Sequence, residues 1–225
     1  MKNLVFFSLF FIALSTFSQE EITKKLGGFT TLKVYNGIDV ELIKSNENKA
    51  IVKGEKSGKV KFKSVNDTLK IVLAFPETTA DGKAKITLYY TEDIAIIDAN
   101  EGAIITSKKI SQQKVEIKAQ EGAFINMVVA IKHLKVKSTS GSVIKLSGKA
   151  KNQTVNVDLG ANYHGYNLTV ENLNTVRAGS GAKAEVQSGE ILDAKVSFGG
   201  SIFYKGKPEV LKDKKVIGGV IEHRS

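Results

Sequence analysis

The sequence predicts an all-β protein, a parallel β-helix (β-solenoid) with coils of roughly twenty residues. Three observations predict it. A small-polar-Gly-small step returns at nearly even intervals, as "ANEGAII" (Ala99 to Ile105), "AQEGAFI" (Ala119 to Ile125), "STSGSVI" (Ser138 to Ile144) and "AGSGAKA" (Ala178 to Ala184). The residues before each step alternate apolar and polar, the pattern of a strand with one buried face. No long helical period appears in the 225 residues.

The chain opens on a targeting segment. Met1 and Lys2 form a short positive start, Leu4 to Leu14 is an apolar run, and Thr16-Phe17-Ser18 puts small residues where a signal peptidase needs them. Residues 1–18 are therefore read as a signal peptide cut before Gln19. The apolar run is short of the ~20 residues that span a bilayer, and no other window approaches that length, so no transmembrane insertion is expected after cleavage. The protein is expected to be exported, to the periplasm, the cell surface or the medium. It contains no cysteine, so its core alone must stabilise it outside the cytosol.

Residues 27–90 are rich in strand patterns ("LKVYNGIDVELI", "VKFKSV", "LKIVLA", "AKITLYY") separated by turn signals at Asn36-Gly37, Asn66-Asp67 and Asp81-Gly82. Their spacing is uneven, which predicts early coils merging into an N-terminal cap.

The regular part follows. With the recurring position set at Gly102, Gly122, Gly141, Asn162, Gly181 and Ser201, the spacings are 20, 19, 21, 19 and 20 residues, the mark of a stacked repeat. Five residues before these anchors stand Ile97, Ile117, Val136, Val157, Val176 and Val196. Three before stand Ala99, Ala119, Ser138, Leu159, Ala178 and Phe198. Both columns are predicted to face inward. Between them lie Asp98, Lys118, Lys137, Asp158, Arg177 and Ser197, predicted to face solvent. Glycine suits a bend because it reaches positive φ without a Cβ penalty, and Asn is the next best residue there. A coil cannot bury its inner face alone; stacking at ~4.8 Å per rung does so. An antiparallel sandwich also alternates, but seldom with a fixed period. The solenoid is expected over 27–207. Residues 208–225, with Pro208 and clustered lysines, are read as a closing strand and tail that resist pairing with another chain.

Several stretches carry a family resemblance: "GFTTLKVYNGIDVELIKSNENKAIVKG", "NDTLKI", the Gly-Ser/Ala rungs and "YKGKPEV". From about residue 27 to the end the chain resembles the head GIN domain family, secreted or surface bacterial proteins described as auto-transporter adhesins. Gly37-Ile38-Asp39-Val40 is similar to the Gly-Ile-Asn motif of the name, with Asp in place of Asn. The resemblance implies a right-handed parallel β-helix and carries over no catalytic residues. No stretch reads as the membrane barrel of an autotransporter, so self-translocation is not expected.

Composition narrows the role further. Lys and Arg number 33 against 23 Asp and Glu, a formal charge of +10, yet only Arg177 and Arg224 are arginines and tryptophan is absent. Nucleic-acid readers favour arginine forks and aromatic stacking, so no nucleic-acid partner is expected; the lysines coat a soluble surface.

Catalytic constellations are missing from the sequence: no cysteine, no Gly-x-Ser-x-Gly, no metal spacing among His133, His164 and His223. Asp98 and Asp158 fall three coils apart at ~14 Å, too far to act as a pair. Glu101 and Glu121 stack at a corner that reads as solvated. No catalytic residue, metal or cofactor is expected. The one candidate ligand-binding cluster is Tyr163, His164 and Tyr166 in "NYHGYN", where tyrosine faces suit sugar rings. The expected role is a non-enzymatic exported solenoid, adhesin-like or envelope-associated, with a glycan or another surface component as partner. The alternative is a carbohydrate-active enzyme, a polysaccharide lyase or hydrolase, on the same scaffold.

Overall fold

The computed structural model describes residues 21–225. The signal peptide and its cleavage point lie outside the described residues.

Seven strands form the N-terminal part: β1 (Ile22–Lys25), β2 (Thr31–Val34), β3 (Asp39–Lys44), β4 (Lys49–Lys53), β5 (Val60–Val65), β6 (Thr68–Leu73) and β7 (Lys85–Tyr90). β8 (Ile96–Ala99) opens the regular coils. β9 (Ile104–Ala119), β10 (Phe124–Ser138) and β11 (Val143–Val157) are long strands that belong to both walls of the solenoid. The coils then shorten through β12 (Asn162–Val170), β13 (Leu173–Ala178), β14 (Lys183–Ser188), β15 (Ile191–Ser197), β16 (Ser201–Lys205), β17 (Val210–Val216) and β18 (Val220–His223). The result is a parallel β-solenoid of about 7 turns with ~19-residue coils.

Two walls face each other across one core. The first stacks β6, β2, β8, the C-terminal halves of β9, β10 and β11, then β13, β15 and β17. The second stacks β7, β3, the N-terminal halves of β9, β10 and β11, then β12, β14, β16 and β18. The N-terminal end changes sense: β5 pairs antiparallel with β6, and β4 antiparallel with both β7 and β1.

A ladder of tight corners joins the walls. Each has two consecutive positive-φ residues ending in glycine: Asn36-Gly37, Glu101-Gly102, Glu121-Gly122, Ser140-Gly141, Leu159-Gly160, Ser180-Gly181, Phe198-Gly199 and Ile217-Gly218. Positive φ at both central residues is the type I′ geometry, which glycine adopts without strain. Successive corners bond to one another. The Gly37 amide donates to the Glu101 carbonyl at 2.8 Å, Gly102 to Glu121 at 2.9 Å, and Gly141 to Leu159 and Gly181 to Phe198 at 3.1 Å.

Two anchors are corrected by this ladder. The chain turns at Gly160 and Gly199, not at the anchors Asn162 and Ser201. The inward column beneath the corners is therefore Ile97, Ile117, Val136, Val155, Val176 and Ala194, paired rung to rung and all at most 1% exposed. Val157 and Val196 belong to the next inward column, with Ala99, Ala119, Ser138 and Ala178. Leu159 and Phe198 are not inward at all; they are exposed corner residues. Both errors were two residues long, so the inward or outward parity of the strands survived them, but Asp98, expected in solvent, is buried and paired with Lys118 at 3.3 Å. Each buried Val or Ile contributes about 1.5–3 kcal/mol, which makes the two columns a main source of stability.

The rung formed by β17 carries charge where its neighbours are apolar. Register places Leu211, Asp213 and Lys215 above Leu192, Ala194 and Val196. Two of those positions thus carry charges, which disfavour pairing with a further strand.

Candidate functional site

The outward face of the second wall carries the residues of interest. β12 holds one residue more than β11: Lys145 pairs with His164 and Ser147 with Asn167, leaving Gly165 and Tyr166 opposite Leu146. Such a bulge re-aims side chains. Here Gly165 turns into the core and Tyr166 outward.

Tyr163 does not join them, which corrects its place in the predicted cluster. It is fully buried, in the inward column of Ile105, Ile125, Ile144 and Ala184. Its hydroxyl accepts a hydrogen bond from the Gln153 amide, and burial pushes its phenol pKa up. The ring fits because its neighbours are small. A Cβ on Gly165 would lie 2.6 Å from Tyr163 Cε1, and the next rung supplies Ala184. The periodic signal was present, since Ile105, Ile125 and Ile144 occupy the same position.

His164 and Tyr166 do share a face. His164 Nδ1 lies 2.7 Å from Glu185 Oε2, and Lys183 Nζ lies 2.5 Å from Glu185 Oε1. Burial pushes the Glu185 carboxyl up, but hydrogen bonds from Lys183 and His164 together with their charges outweigh it and hold the group below its ordinary range. The Tyr166 phenol is raised, first by burial and then by the charge of Glu185. Lys205 Nζ sits 5.3 Å from the Tyr166 ring centre. One and two rungs past Glu185 come Phe203 and Glu222. Phe203 is flanked by Lys183 at 5.4 Å and Arg224 at 4.6 Å, and Arg224 pairs with Glu222 at 3.1 Å. Lys183, Glu185, Phe203 and Arg224 are far apart in sequence from "NYHGYN" and were missed, because only the stacking register brings them to it.

A cleft of about 430 Å³ lies beside the bulge. It is lined by the half-buried Phe124 and Val143, the buried Leu146, and the polar and aromatic residues Lys145, His164, Tyr166, Asn167 and Glu185. Apolar and aromatic faces next to separate donors and acceptors are what a sugar ring requires. Among the described residues no group of three or more His, Asp or Glu side chains converges as a metal site. Glu101 and Glu121 occupy adjacent corners, and Glu101 accepts a hydrogen bond from Asn36 at 2.8 Å.

A stacked parallel solenoid with polar and aromatic side chains arrayed on one wall defines a repeat-scaffold protein of the β-helix class. The chain belongs to the family described as "putative auto-transporter adhesin, head GIN domain", whose model matches residues 28–208. Three solved structures are similar in fold. A putative adhesin from Bacteroides fragilis NCTC 9343 is 20% identical with a TM-score of 0.78, covering 92% of this chain and 98% of its own. A putative adhesin from Parabacteroides merdae ATCC 43184 is 16% identical with a TM-score of 0.71, covering 93% and 98%. A putative lipid binding protein from Parabacteroides distasonis ATCC 8503 is 16% identical with a TM-score of 0.70 and the same coverage. Among curated proteins none matches.

Proposed function

We propose that this is an exported, non-enzymatic adhesin-type protein that binds a glycan, or another component of a cell surface or envelope, on the outward face around the β12 bulge. The observation that carries the reading is the cleft beside His164 and Tyr166, lined by both apolar and polar residues. The family description and the leader-like start of the chain agree with it. No helix of the described residues is long and apolar enough to cross a membrane, and the reading needs none.

The competing reading is a carbohydrate-active enzyme, a polysaccharide lyase or hydrolase, and for the hydrolase the state of the cleft carboxyl argues against it. A glycosidase acid must hold its proton near neutral pH, which requires a carboxyl pushed up. The carboxyl in this cleft, Glu185, is pushed up by burial, but hydrogen bonds from Lys183 and His164 outweigh that and hold it down.

The test is a glycan array on residues 19–225, with calcium and with chelator, followed by a product assay on each bound glycan. Binding without product is the expected result. Turnover of any bound glycan moves the protein to the enzyme reading, and an array with no bound glycan removes the sugar.

A further inference from the structure

Each corner of the ladder needs a left-handed residue before its glycine. The N-terminal corners place Asn36, Glu101, Glu121 and Ser140 there; the C-terminal corners place Leu159, Ser180, Phe198 and Ile217. Asn tolerates this conformation, whereas a bulky or β-branched residue at positive φ is an outlier. Leu159, Phe198 and Ile217 are 58%, 61% and 70% exposed. They are thus unfavourable twice over, in backbone conformation and in apolar surface left in water, and they add nothing to the core. The earlier corners show that the solenoid closes without them.

Their placement is regular. Bonded corners and strand register put Leu159, Ser180, Phe198 and Ile217 on successive rungs, so the ridge extends about 14 Å at ~4.8 Å per rung. A cationic column runs alongside: Arg177, Lys195 and Lys214 are paired rung to rung, three residues before Ser180, Phe198 and Ile217. Arg177 is held by Asp193 at 2.9 Å. Lys195 and Lys214 form no ion pair among the described residues. A recess of about 290 Å³ opens beside the ridge, lined by Arg177, Lys195, Ser197, Asn156 and Asp158.

We infer that this corner is a docking edge for an anionic lipid surface. Apolar side chains held singly on tight turns enter the boundary between headgroups and acyl chains, and the cations beside them meet lipid phosphates. A protein partner fits less well, because protein interfaces centre on a contiguous packed patch, and here a serine interrupts the ridge. The inference does not depend on the glycan reading of the β12 face.

The experiment is flotation of residues 19–225, which hold the whole described solenoid, with vesicles of phosphatidylglycerol and phosphatidylcholine, against vesicles of phosphatidylcholine alone. The wild type is expected to bind the anionic vesicles about tenfold more strongly or better. The triple variant L159N/F198N/I217N is expected to lose that binding by about tenfold or more, with a thermal midpoint equal to or above wild type because Asn suits the corner. A second variant, K195E/K214E, leaves the corner backbone untouched and is expected to weaken binding and flatten its salt dependence. A wild type that ignores both vesicles, a triple variant that binds like wild type, or a charge variant with unchanged binding overturns the inference.

Discussion

Asn174 offers the sharpest test of the packing. Its side chain is fully buried, and neither Oδ1 nor Nδ2 has a hydrogen-bond partner among the described residues. It stands in an inward column between Gln153 and Leu192, with Val115 and Leu134 further down. Gln153 is satisfied through the Tyr163 hydroxyl; Asn174 is not. An unsatisfied buried polar group costs about 1–3 kcal/mol. Leucine has the same branching as asparagine, so Asn174→Leu removes that cost and continues an apolar column. The expected gain is about 1–3 kcal/mol, read as a rise of roughly 2–4 °C in thermal midpoint per kcal/mol for a chain of this size. Circular dichroism melts of residues 19–225 with and without the substitution measure it. A variant less stable than wild type by 1 kcal/mol or more would refute the reasoning, because it would mean the amide is satisfied inside the solenoid, as by an ordered water.

Three further substitutions test other parts. Val136→Lys, at a position with no exposure, loses about 2 kcal/mol of burial and must neutralise a lysine at about 5 kcal/mol, so unfolding at room temperature is expected; the neighbouring Lys137→Val loses only an exposed pair with Glu116 at 3.2 Å, about 0.2–1 kcal/mol, and comparable melts for the two would contradict the assigned faces. Gly165→Ala drives a methyl into the Tyr163 ring and is expected to destabilise by about 1–3 kcal/mol, while Gly58→Ala, with nothing within 4 Å, is expected to stay close to wild type in the same urea titration. The Glu185 carboxyl titrates below its ordinary value of 4.5 in the folded chain, so its stabilising contribution is fully present above that pH and is lost as pH falls through the lower folded value; Glu185→Gln should flatten the acid limb of a stability-against-pH curve, and an unaltered limb would count against the pairing with Lys183 and His164.

The corners show what the sequence revealed and where it misled. Gly102, Gly122, Gly141 and Gly181 are preceded by Glu or Ser, so the turn announces itself. Leu159-Gly160 and Phe198-Gly199 put large apolar residues at the left-handed position, and alternation counts such residues as core. Strand parity survived because the slip was even. The N-terminal excursion was less legible: the Asn36-Gly37 corner bonds directly to Glu101, a junction across a long stretch of chain that no local pattern encodes. At the candidate site the sequence pointed to His164 and Tyr166 through their composition. It could not assemble Glu185, Lys183, Phe203 and Arg224 with them, since that requires the register of four strands. Tyr163 was misplaced because composition grouped it with His164 and Tyr166, although alternation put it with Ile105, Ile125 and Ile144.

The central claim is that the β12 bulge presents a binding face through Tyr166. The direct measurement is a calorimetric titration of the tightest glycan from the array into wild type and into Tyr166→Ala, with thermal midpoints recorded for both. Loss of one stacking aromatic is worth about 1 kcal/mol or more, so the variant is predicted to bind several-fold to tenfold more weakly at an unchanged midpoint. Equal affinities for the two proteins would contradict the claim and place the binding surface elsewhere on the solenoid.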